Sequence, residues 1–116
     1  MIARLRRAAK AAALVLLSFP QLAAADTFTS ADVLAWPEAS QNSFFQSSIT
    51  MTNIVAMQTG RYDGIVTCIN EWYGTAELQA QRHDHIREVL ADYPDNHPQG
   101  IILAVIEKAC GSFTES

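Results

Sequence analysis

The densest run of side chains able to do chemistry is Arg82-His83-Asp84-His85, followed by Asp95 and His97. Imidazoles and carboxylates hold zinc when several of them converge on one side of an element. Helical residues two apart, however, point about 200° away from each other, so His83 and His85 do not chelate together. A site built from His85, Asp92 or Asp95, and His97 would need the end of a helix to gather them. The simpler reading is a solvated face with pH-sensitive imidazoles, and His97 as the residue that enters a helix at Pro98. No metal site is assigned. Asp84 and Glu88 lie one helical turn apart, but Arg82 and Arg87 are close enough to give ordinary surface ion pairs. General acid-base work needs a carboxyl with a shifted pKa in an apolar cleft. Ser40, Ser43, Ser47 and Ser48 are framed by no G-x-S-x-G turn, and a nucleotide-cradling Gly loop is absent. No catalytic residue, cofactor or enzyme activity is expected.

The two cysteines, Cys68 and Cys110, acquire meaning from the compartment. Arg4, Arg6, Arg7 and Lys10 precede an apolar stretch over 11–19, then Pro20 and the small residues Ala23-Ala24-Ala25. These are the zones of a secretory signal peptide, with cleavage expected between Ala25 and Asp26. The apolar stretch is too short to cross roughly 30 Å of hydrocarbon. Residues 1–25 are therefore expected to leave, and 26–116 to form one domain in the periplasm or outside the cell. In such an oxidising place an even pair of cysteines reads as a disulfide. Two free reactive thiols are the alternative, but no CxxC motif or activating neighbour supports redox chemistry.

Loss of the leader also changes the charge. Arg61, Arg82, Arg87 and Lys108 remain against twelve carboxylates, a net charge of −8 over 91 residues. That balance opposes nucleic acid and anionic membrane, where Lys and Arg must neutralise phosphates. It suits a basic protein partner.

The elements that position these residues all read as helices. Thr29 with Asp32 forms a capping-box start to a short helix carrying Val33, Leu34 and Trp36. Pro37 and Glu38 open a second helix running to about residue 59, with Gly60 as its terminator. Its rows Phe44-Ser48-Met51-Val55 and Phe45-Ile49-Ala56 predict one broad apolar face, with Gln41, Gln46, Asn53 and Gln58 around it. A third helix fits 62–73, with Ile65, Cys68, Ile69 and Trp72 on one side. Thr75 caps a fourth over 76–93, with the stripe Leu78, Ile86, Val89, Leu90 and Tyr93. Pro98 opens a fifth that ends at Cys110 before Gly111, and Ile101, Ile102, Val105, Ile106 and Ala109 place it centrally. The expected fold is an all-α bundle of four to five helices stapled by Cys68–Cys110.

Most aromatic residues read as core. Trp72 and Tyr73, at a helix end beside Glu71, form the candidate interface, because partly exposed Trp and Tyr dominate protein contacts.

The stretch from Cys68 to Cys110 resembles the C-terminal half of Rap/Tai-type periplasmic immunity proteins. The residues that carry the likeness are Ile86-Arg87-Glu88-Val89-Leu90, Tyr93-Pro94, His97-Pro98, Ala104-Val105-Ile106 and Cys110. The resemblance implies a disulfide-bonded, often dimeric helical protein that blocks a peptidoglycan amidase toxin delivered by a type VI secretion system. No cysteine accompanies Leu34, and 45–50 stands in place of the Gly-rich stretch such relatives carry, so no toxin-contact residue transfers. A second, weaker likeness is to acid-stress periplasmic chaperones of the Hde type, also small, helical and single-disulfide. At low pH the carboxyls neutralise while four Lys/Arg and three His stay positive, reversing the charge to about +7.

Overall fold

A computed structural model describes residues 27–114; the expected leader and its cleavage point lie outside the described residues. Thr29 sits in extended backbone and accepts from the Asp32 amide, while the Asp32 carboxylate accepts from the Thr29 amide at 2.9 Å. That reciprocal cap starts α1 (Ser30–Leu34). α2 (Glu38–Thr59) follows Pro37 and stops at Gly60, whose φ of +69° is the left-handed turn only glycine adopts without strain. α3 is Asp63–Trp72, and α4 (Ala76–Asp92) begins where the Thr75 hydroxyl accepts from the Leu78 amide at 3.1 Å. α5 (Pro98–Cys110) has its proline in the first turn and Lys108 in the last, where a cation complements the carbonyl end of the helix.

Among the described residues there are five helices and no strand. α2 packs on α3, α4 and α5, and α5 in turn packs on α3 and α4. The core is Phe45 and Ile49 of α2, Ile69 of α3, Ile86 and Leu90 of α4, and Ile101, Ile102, Val105 and Ile106 of α5. α1 closes one end of this core with Val33, fully buried. It is tied down from behind: the Ser30 amide and hydroxyl both donate to the Asn96 carbonyl, and the Ala31 amide donates to that of Pro94. The turn between α4 and α5 therefore holds the start of α1 as well as its own two helices.

Cys68 and Cys110 are joined across a separation of 42 residues, their Cα atoms 5.5 Å apart. The bond fastens the end of α5 to the middle of α3 and makes α4 an excursion inside a closed loop. The fold is thus an all-α bundle stapled by that disulfide, and no described helix is long and apolar enough to cross a membrane.

Two details differ from the sequence expectations. Gln41, expected beside the apolar face of α2, is buried, and its side-chain amide donates to the carbonyls of Leu34 and Trp36, which α1 leaves open at its end. The row Phe44-Ser48-Met51-Val55 stays inside only in its first half, where Ser48 is buried and Phe44 half-buried. Met51 is 59% exposed and Val55 54%, because α3, α4 and α5 cover the Phe45-Ile49-Ala56 row instead.

Candidate functional site

The polar cluster of α4 separates when the helix is built. His83 turns inward and is 8% exposed, whereas His85 faces solvent beside Glu88. A solvated face is therefore the wrong description for His83. Its Nε2 lies 2.6 Å from the Tyr73 hydroxyl, and its ring meets Phe45 edge-on at 5.5 Å. Burial holds the imidazole below its ordinary pKa, with the nearby Arg87 cation adding to the effect and Asp84 opposing it. Burial likewise raises the Tyr73 phenol. Both groups are neutral at pH 7, so the pair satisfies two buried polar side chains within the core. Arg87 itself is held by Asp84 at 2.7 Å and by Asn42, with its guanidinium 5.7 Å from the centre of the Phe45 ring.

His97 enters α5 as expected, its Nδ1 accepting from the Gln99 amide at 3.1 Å. Its ring is spent in an aromatic group with Phe28, which also stacks on Trp36 and meets Phe44. Among the described residues no three His, Cys, Asp or Glu gather closely enough to hold a metal ion.

The expected interface of Glu71, Trp72 and Tyr73 is divided. Tyr73 is 9% exposed, so its ring belongs to the core; the hydroxyl that favoured a wet position finds His83 instead. Trp72 is half-buried beneath the Arg82 guanidinium, 5.2 Å from its ring, and Arg82 Nε donates to the Trp72 carbonyl. Glu71 is exposed. What remains on that side is one edge of Trp72 beside a carboxylate.

The larger feature lies on the second half of α2. Met51, Ile54 and Met57 form an exposed apolar ridge, at 59%, 40% and 50% exposure. On the side of that ridge facing α5 runs an open groove of about 420 Å³. Met51 and Val55 line it from α2 and Leu103 from α5, with Tyr62 and Phe113 completing the lining. The Tyr62 hydroxyl donates to the Phe113 carbonyl at 2.8 Å and the two rings meet edge-on at 5.0 Å. Gly60 turns the chain so that Arg61 and Tyr62 arrive at this place. Nothing charged interrupts the helix behind it: from residue 39 to 59 there is no Lys, Arg, Asp or Glu. That blank interval is legible in the sequence, but the ridge and groove are not, since the periodicity assigns Met51 and Val55 to the core. Comparison with protein-family models, with curated proteins and with solved structures finds no match for this chain.

Proposed function

We propose that this chain is an exported, non-catalytic protein-binding domain that docks its partner on the α2 ridge. The observation that supports it is the uncharged helix exposing Met51, Ile54 and Met57 on a chain otherwise rich in carboxylates. Interface centres are depleted in charge and enriched in Met and aromatic residues, and their rims are polar. The partner such a surface fits is a basic exported protein offering an apolar segment: surrounding carboxylates steer the approach, and the ridge receives the contact. The Cys68–Cys110 likeness to periplasmic immunity proteins makes a cell-wall amidase toxin the leading specific partner. The direct test is co-expression with such an amidase delivered to the periplasm. Protection is expected from the parent chain and its loss from Ile54→Arg with Met57→Arg, at unchanged stability. Absence of protection, together with no complex between purified proteins, would sink the immunity version.

The buried His83 favours a second role, acid-stress chaperoning. A neutral imidazole inside the core resists protonation at neutral pH and becomes a destabilising charge in acid, as the surface charge reverses. Suppression of client aggregation at about pH 3, absent at pH 7, is the expected result. A chain that stays folded at pH 3 and leaves clients to aggregate refutes it.

A further inference from the structure

The groove beside the ridge carries a polar feature that a protein-docking role does not use. Of its lining residues, Thr52 and Thr59 have hydroxyls, but Thr52 donates to the Ser48 carbonyl at 2.8 Å and Thr59 to that of Ala56 at 2.9 Å. Both side chains therefore spend their hydroxyls on α2 itself. The Tyr62 hydroxyl is likewise committed to the Phe113 carbonyl. Arg61 alone among the lining residues is ionic. Its Nη2 donates to the Tyr62 hydroxyl at 3.1 Å and its guanidinium lies 5.4 Å from the centre of that ring, which holds the cation beside the Tyr62 lining of the groove. Among the described residues it forms no ion pair with a carboxylate. A guanidinium offers five N–H donors in a fixed fork suited to carboxylate, and since Arg61 is exposed its remaining donors face water at the edge of the groove, open to an anionic head.

We propose that the groove binds an anionic amphiphile, a medium-chain carboxylate whose alkyl tail lies between Met51, Val55 and Leu103 and whose head meets Arg61. The volume agrees with the tail. A methylene fills about the space of a water, ~30 Å³, so 420 Å³ accommodates about 14 heavy atoms, a 12-carbon chain with its two carboxylate oxygens. The charge agrees with the head, since a cationic or neutral end would leave the guanidinium unmatched. The ridge and the groove share Met51, but Ile54 and Met57 do not line the groove and Ile54 is rotated by about 100° from Val55, so substitutions at Ile54 and Met57 separate the two sites.

Dodecanoate, kept below its micellar concentration, is the probe, and calorimetry with the purified protein is the measurement. Saturable one-to-one binding is expected, weakening two- to fourfold for each methylene removed, the factor corresponding to burial of part or all of a methylene. Arg61→Gln should weaken dodecanoate at least tenfold and leave dodecanol unchanged, which separates the head from the tail. Leu103→Asp, in the α5 lining, should weaken both. The proposal is overturned if dodecyltrimethylammonium binds as well as dodecanoate, or if Arg61→Gln is without effect. Failure of dodecanoate to bind a folded protein overturns it as well. A dimer that buries Met51 and Leu103 and excludes dodecanoate would assign the groove to a second copy instead. Loss of protein docking with amphiphile binding intact, as in Ile54→Arg, would touch only the docking role.

Discussion

Breaking the Cys68–Cys110 bond is the perturbation whose size the structure sets most directly. The bond closes a loop of 42 residues that holds all of α4 and α5. In the chain-entropy treatment such a closure removes about 13 cal/mol/K from the unfolded chain, or about 4 kcal/mol at 25 °C. A domain of this size is stable by about 5–10 kcal/mol in total, so reduction should take away roughly half of that or more. With an m of about 1 kcal/mol/M in urea, the midpoint moves down by about 4 M. Urea titrations followed by the fluorescence of Trp36 and Trp72 measure this in oxidised protein, in reduced protein and in Cys68→Ala with Cys110→Ala. Reduced protein keeps both sulfurs and the alanine pair removes them. If the constraint acts on the unfolded chain, the two lose the same stability, and m rises in both because the opened chain expands further. A midpoint within about 1 M of the oxidised protein would refute loop closure as the source. Full loss in the alanine pair with little loss on reduction would refute it too, and would move the stabilisation to packing of the half-buried Cys110 against the core.

Three further outcomes are expected. His83 has its folded pKa lowered by burial, so its contribution is fully present above the unfolded value near 6.5 and is lost as pH falls through the folded value; urea midpoints should drop between pH 7 and pH 5, and His83→Gln should flatten that dependence. Phe45→Ala, at a fully buried ring touching His83 and Phe44, should cost about 3–5 kcal/mol and leave the reduced protein unfolded by circular dichroism. Gly74→Ala would drive a Cβ into the Asn70 carbonyl oxygen and cost about 1–3 kcal/mol, whereas Gly100→Ala in α5 meets nothing within 4 Å and should raise the thermal midpoint by a gain of about 0.5–1 kcal/mol.

Local chemistry in the sequence was sufficient for the elements. Thr29 with Asp32, Gly60, Thr75, Pro98 and Gly111 each mark an end within a residue or so, because caps act on amides three or four positions away. The two cysteines paired as the compartment argument expected. Long-range consequences were not legible. The rows Phe44-Ser48-Met51-Val55 and Phe45-Ile49-Ala56 have equal periodicity, and only the packing of α3, α4 and α5 leaves Met51 and Val55 of the first outside. His83 sits in a run of charged residues that looks solvated, and its buried position depends on a hydroxyl ten residues earlier that turns in to meet it. The burial of Tyr73 is illegible for the same reason, since it is decided by that partner and not by its own neighbours. The groove was unreadable because its walls come from α2, α5 and a tail residue, Phe113, that no pattern connects.

The composition of α2 is not what helix stability alone would select. Seven of its residues between 39 and 59 are Ser or Thr, each about 0.5 kcal/mol poorer in a helix than Ala, while Lys and Glu are better and would add turn-to-turn ion pairs. Ser48 and Thr52 even turn back to bond carbonyls four residues earlier, a habit that slightly weakens a helix. A water-facing helix gains nothing from avoiding charge, least of all on a chain that carries twelve carboxylates elsewhere. A surface that leaves water on contact does gain, because any ammonium or carboxylate there would have to be desolvated, at several kcal/mol unless matched. The helix thus gives up intrinsic stability, mostly before Met51, and stays free of charge throughout the span where Met51, Ile54, Val55 and Met57 stand exposed, and burial against a partner or ligand is the circumstance in which that absence of charge is favourable.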